Sequence, residues 1–338
     1  MPKSSIYNIK ILVCGAGSIG RRHIENLKRI GVTVLAWRSR RELAERLSKE
    51  YEIEVRTSID EAIRDVDGVV VATTTDTHIE IASKVIDHNK ALFIEKPLSV
   101  TEDRLDDLGE IIKNQNLIIH VGCNLRFHFG PVLVQKFIKE DKLGDILWGH
   151  FWGGMHLPDW HPGEDYRLSY ASRKKLGGGV VLTQIHEIDY LYWFFGKVSE
   201  VFAITGKMSN LDIDVEDYCE SLLKFKNNVI VNLHLDYFQR PAKRTCKIIG
   251  TEGQILWNWE NNHVQIYKNN NKKWITKKID KKMDRNKMYV DELKYFLDCV
   301  NKNIIPMNSI IDAIEPQKIS LAIKESAKKG QKIKIIYP

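Results

Sequence analysis

Lys10-Ile-Leu-Val-Cys14-Gly15-Ala-Gly17-Ser18-Ile19-Gly20 joins an apolar run directly to a glycine-rich turn. The apolar run Lys10 to Cys14 reads as a buried strand, and it stops at glycines spaced G-x-G-x-x-G. A helix pattern follows at once, with Ile24, Leu27 and Ile30 on one face of His23 to Ile30. Strand, glycine loop and helix in that order make a phosphate cradle. Gly15 permits the tight turn, Gly17 lets a pyrophosphate approach the backbone, and Gly20 lets the helix pack on the sheet. The helix N-terminus, at Ser18 and Ile19, supplies N–H donors and partial positive charge. The expected ligand is a dinucleotide.

The alternation continues along the chain. Val32 to Trp37, Gly68 to Ala72, Ala91 to Glu95 and Leu117 to Gly122 read as strands. Arg41 to Tyr51, Thr77 to Asn89 and Thr101 to Asn114 read as helices between them. Short strand–helix steps predict a doubly wound parallel sheet covered on both faces. After about residue 123 the pattern changes. Gly130 to Glu140 reads as one more helix, and from Gly149 the strands lengthen and alternate. Val229 to Asp236 puts Val229, Val231, Leu233 and Leu235 on one face, with Asn232, His234 and Asp236 on the other. Lys268 to Lys287 reads as a solvated loop or edge hairpin, and Tyr289 to Asn301 and Ser309 to Lys329 as helices. The expected class is α/β. It has an N-terminal dinucleotide-binding domain, 1–123, and a C-terminal substrate-binding and oligomerisation domain, 124–338.

Length and composition agree. At roughly 150 residues per domain, 338 residues make two domains. The chain is 43% hydrophobic and 28% charged, which excludes disorder and fibrous structure. Lys plus Arg is 51 and Asp plus Glu 44, a net charge of +7. That surplus suits an anionic ligand but forms no long basic run for nucleic acid. No apolar run reaches the roughly 18 residues of a membrane span, and Met1 to Lys10 carries no apolar leader segment. Five scattered cysteines make neither a disulfide framework nor a metal site, so a reducing cytoplasm is expected.

The tip of the second strand selects the cofactor. An NAD site places a carboxylate there to bond the ribose; here the residues are Trp37-Arg38-Ser39-Arg40-Arg41. Arg38 and Ser39 suit a 2′-phosphate, so NADP is favoured over NAD, with Glu42 the one nearby acid that argues for NAD.

A second set of residues carries a family resemblance. Val71-Ala-Thr73-Thr74-Thr-Asp-Thr-His78, the Glu95-Lys96-Pro97 tripeptide after a strand, and Val121-Gly-Cys-Asn124-Leu-Arg126 join the glycine loop and His23. Together they resemble the Gfo/Idh/MocA oxidoreductases, over nearly the whole chain. That resemblance implies a Rossmann domain followed by an α/β domain on a large open, mostly antiparallel sheet. It implies homodimers or homotetramers formed through that sheet. It implies cofactor contacts at Thr73, Thr74, His78, Glu95 and Lys96, and substrate contacts at Asn124, Arg126, Thr183 and Asp189.

By the same resemblance Lys96 sits near the nicotinamide and the reacting hydroxyl. A cation there can polarise a carbonyl, hold an alkoxide or relay a proton. Gly177-Gly-Gly179-Val-Val-Leu182-Thr183-Gln184-Ile185-His186-Glu-Ile-Asp189 is similar to the family's glycine turn into a helix with a catalytic histidine. Many members carry Asp four residues before that histidine; Leu182 stands there instead, beside Thr183. His186 and Asp189 share a helix face. Either His186 is the acid/base, oriented by Asp189 or Gln184, or Lys96 does the proton work and His186 binds substrate. The stretch from Met155 to Tyr170 is crowded with Trp160, Tyr166, Arg167 and imidazoles, a composition that stacks on and hydrogen-bonds sugars. Tyr170-x-x-x-Lys174 imitates the short-chain dehydrogenase motif, but the rest of that pattern is missing.

These readings converge on an NAD(P)-dependent oxidoreductase of a sugar, sugar derivative or sugar nucleotide, in the setting of surface-polysaccharide synthesis. A redox-assisted transformation with a tightly held cofactor is the alternative among enzymes. An NADP(H) sensor without turnover is the alternative outside them.

Overall fold

The computed structural model of the chain describes residues 7–102, 105, 117–278 and 284–337. The helix expected over 101–114 therefore lies mostly outside the described residues. The chain divides into two compact units, residues 1–124 with 285–314, and residues 125–284 with 315–338.

The first unit is a parallel sheet. Its strands are β1 (Lys10–Cys14), β2 (Thr33–Trp37), β3 (Glu54–Arg56), β4 (Gly68–Val71), β5 (Ala91–Glu95) and β6 (Ile119–Gly122). They run in the order β3-β2-β1-β4-β5-β6, every neighbouring pair parallel. Helices α1 (Ser18–Ile30), α2 (Arg41–Tyr51), α3 (Ile59–Arg64) and α4 (His78–Asp87) connect them. Strands covered on both faces are apolar at every position, and Ile11 to Cys14 and Val69 to Val71 are all fully buried. The strand order reverses between β1 and β4, so their following loops open a crevice at the carboxyl edge. The sequence pattern misses β3 and α3, which are too short to show a period; Ser58 caps α3 by accepting the Glu61 N–H.

A later stretch completes this unit. Helix α8 (Lys287–Lys302, the last but one) buries Leu293, Phe296 and Leu297 against Val13, Leu27 and Phe93. Tyr7 Oη donates to Asp298 at 2.8 Å, Asn26 and Asn286 exchange side-chain hydrogen bonds, and His120 Nε2 meets Glu292 at 3.2 Å.

The second unit is a nine-stranded sheet. Its strands are β7 (Ile146–Gly154), β8 (Val198–Gly206), β9 (Tyr218–Phe225), β10 (Ile230–Asp236), β11 (Lys243–Gly250), β12 (Gly253–Asn258), β13 (His263–Lys268), β14 (Lys273–Lys278) and β15 (Ile333–Lys334). The order is β14-β13-β12-β11-β7-β10-β9-β8-β15; only β7 and β10 pair in parallel. Helices α5 (Phe129–Lys139), α6 (Val180–Thr183) and α7 (Ile185–Phe195) belong to this unit, and Phe151, Tyr190, Phe194, Phe195 and Phe225 pack as an aromatic core. On β10, Val231, Leu233 and Leu235 are buried as the alternation requires. His234 and Asp236 on the other face are buried too, because Trp152 stacks on His234 at 3.8 Å and Glu220 and Asp236 bond its two nitrogens. Elsewhere that face is open, with Phe202, Ile204 and Leu222 exposed at 41%, 56% and 50%.

Candidate functional site

The turn from β1 into α1 is shaped for a phosphate. Gly15 has φ 103°, and a Cβ on it would lie 2.4 Å from the Ala72 carbonyl oxygen. A Cβ on Gly20 would strike the Gly15 carbonyl at 2.3 Å, whereas nothing lies within 4 Å of one on Gly17. Two glycines thus close the turn and the middle one leaves its outer side open. Helix α1 begins at Ser18 with no side-chain cap and no acid in its first turn, so its leading N–H groups and dipole face that opening.

Beside it, Gly15, Trp37, Arg38, Ser39, Arg40, Leu43 and Thr73 line a cavity of about 350 Å³. No carboxylate is among these residues. Arg38 is held below its ordinary value, first by burial and then by the charges of Arg21 and Arg40. An anion in the cavity would relieve that crowding. A dinucleotide fits this combination of open cradle and cationic pocket. The Thr77 hydroxyl donates to the Thr74 carbonyl at 2.9 Å and lies 2.8 Å from the Thr73 hydroxyl, which ties the turn after β4 together.

Lys96 follows β5 at the same carboxyl edge and is partly exposed. Its neighbours are fastened. Glu95 is buried and accepts from His23 Nε2 at 2.7 Å. Pro97, in a cis linkage to Lys96, has its carbonyl 2.9 Å from His78 Nδ1; His78 Nε2 stands 3.2 Å from the Thr73 carbonyl. Burial pushes the His78 ring below the usual imidazole range. So His78 and Glu95, both expected at the cofactor, are engaged within the protein. Tyr289, read from sequence only as the start of a helix, belongs to this neighbourhood: Arg22 lies 4.5 Å over its ring. Burial raises its phenol, Glu95 adds to that, and Arg22 and Lys96 oppose it. No local motif marks a tyrosine so far along the chain; only the return of α8 brings it here. At the end of this unit Asn124 is buried, and its Oδ1 has no partner among the described residues. It is a polar atom suited to a ligand.

In the second unit, the Gly177 to Gly179 turn launches α6 and α7. A Cβ on Gly178 would lie 2.4 Å from the Tyr170 carbonyl oxygen; one on Gly179, at φ 105°, would lie 2.3 Å from Glu216 Oε1. His186 is the second residue of α7 and half-buried. Thr183 is buried. Gln184 donates to the Asp236 carbonyl at 2.9 Å. Asp189 accepts a two-pronged pair from Arg126, at 2.9 and 2.7 Å, both side chains buried. Asp189 and Arg126, expected at the substrate, are therefore brought to each other. Trp160 donates to the Met155 carbonyl and meets Tyr237 edge-on; Tyr166 accepts the Asp212 N–H; exposed Arg167 forks onto Asp165. Among the described residues no group of three or more His, Cys, Asp or Glu is placed to hold a metal, and no helix is long and apolar enough to cross a membrane.

Comparisons with known proteins agree with this geometry. Residues 9–123 match an oxidoreductase family with an NAD-binding Rossmann fold, and residues 132–256 match the GFO/IDH/MocA C-terminal domain. The levoglucosan dehydrogenase of Pseudarthrobacter phenanthrenivorans is 25% identical over 75% of this chain and 74% of its own. The scyllo-inositol 2-dehydrogenase (NAD(+)) of Bacillus subtilis is 23% identical over 97% of both chains. A levoglucosan dehydrogenase solved with NADH and levoglucosan superposes with a TM-score of 0.87 at 20% identity, covering 98% of this chain and 100% of that one.

Proposed function

From the premise that the chain belongs to the Gfo/Idh/MocA oxidoreductase family, we propose that it interconverts a hydroxyl and a keto carbon of a carbohydrate-like substrate. One observation carries this reading: the open glycine cradle after β1 and Lys96 after β5 share one edge of a parallel sheet. A bound nicotinamide supplies the two-electron acceptor or donor. The protein does the rest. Gly15 to Gly20 and the α1 N–H groups hold the pyrophosphate; Arg38, Ser39 and Arg40 receive the adenosine end. Lys96 Nζ stabilises charge on the substrate oxygen or takes its proton, and the His186 ring serves as second acid/base. Because Arg38 and Arg40 line a pocket with no carboxylate among its lining residues, NADP is preferred to NAD. The relatives quoted above name NAD or NADH, so the cofactor test has two clear outcomes. The open face of the second unit's sheet serves assembly as a homodimer or homotetramer, and surface-sugar synthesis is the proposed setting.

The test is direct: titrate NADPH and NADH into the purified protein, then follow nicotinamide absorbance with levoglucosan, inositols and sugar nucleotides. Turnover of any one supports the reading. Saturable cofactor binding with no turnover across the panel overturns the enzyme.

A further inference from the structure

Lys96 stands between two fastened residues, and each fastening leads to a backbone element of the cofactor cradle. On one side, His23 bonds Glu95; His23 lies on α1, one turn past Gly20. On the other, His78 bonds the Pro97 carbonyl and lies against the carbonyl of Thr73, which lines the cavity. Both imidazoles are about 1% exposed or less. The Glu95 carboxylate is wedged against Gly122, where a Cβ would come within 3.2 Å of it. We infer that His23 and His78 are positioning residues, a pair of braces that transmit dinucleotide seating at α1 and Thr73 to the placement of Lys96. Neither ring touches substrate. Each acts through the residue next to Lys96, so the inference rests on the reading of Lys96 given above.

The experiment reads hydrogen exchange rather than turnover. Amide exchange is measured on the full chain, free and saturated with NADPH, for peptides over the glycine loop and over 95–98. In the wild type both regions should slow on binding, the second by about tenfold. In His23→Leu the loop should still slow while 95–98 changes less than about twofold. Gln places its amide nitrogen near Nε2, so His23→Gln should restore the coupling; Asn resembles Nδ1, so His78→Asn should do so where His78→Leu does not. A residue that only maintains packing would change free and bound exchange alike. If His23→Leu does not fold, His23→Gln and Glu95→Leu carry the same comparison. Wild-type binding that protects the loop but not 95–98 overturns the braces alone. No saturable binding of NADPH or NADH overturns the parent reading, and the braces fall with it.

Discussion

Lys96→Met removes a cation while nearly keeping side-chain length. If Nζ faces developing charge, kcat should fall by about 10²-fold or more, the scale for losing one such group. Dinucleotide affinity should hold, because the proposed phosphate cradle at Gly15 to Gly20 is left unchanged. Near-wild-type turnover in that variant removes Lys96 from the chemistry. Arg38→Asp should weaken NADPH binding about 10- to 100-fold more than NADH binding, since it deletes a charge-assisted phosphate partner and adds repulsion. Equal losses in two parallel titrations would show that Arg38 does not read a 2′-phosphate. At this scale, features set by local spacing can be read directly from sequence: the glycine turn, the carboxylate-free tip of β2, and Lys96 beside its proline at the end of β5. Partnerships between distant residues cannot be read this way. His23 with Glu95, Arg126 with Asp189 and Arg22 with Tyr289 each join separate segments, and nothing in a one-dimensional pattern announces them.

Elements with a long period were legible. β1, β5 and α1 follow from runs and faces. Three-residue β3 and the short α3 do not, because a pattern of period 2 or 3.6 needs more residues to repeat. Strand β10 shows a different failure: alternation correctly buries Leu233 but has no means of burying His234 opposite it. Burial lowers the affinity of the His234 ring for its proton; Asp236 and Glu220 more than offset this, and the folded value ends above 6.5. The stabilisation from this cluster is therefore fully present below pH 6.5 and is lost as pH rises through the folded value. Melting temperatures of wild type and His234→Gln should differ most at acid pH and converge above neutrality. A gap that stays constant across that range would show that the imidazole charge contributes nothing.

For the whole molecule, the open sheet face predicts self-association. Ile204→Lys with Leu222→Lys places cations on two exposed apolar positions of neighbouring strands and should reduce the particle mass in light scattering to one chain. A monomeric wild type, or an unchanged mass in the variant, rejects this face as the interface. The sequence pattern changes near residue 123, and the opening segment of the first unit ends at residue 124. The return of 285–314 to that unit was not legible, since an amphipathic helix shows which of its faces is apolar but not what will cover it. That return has a consequence for synthesis on the ribosome. When residue 124 is made, Phe93 and His120 still lack Phe296 and Glu292. At roughly 5–20 residues per second, the wait until residue 314 is about 10–40 s. Throughout that interval the nascent cofactor unit presents an uncovered apolar face, a natural footing for a chaperone.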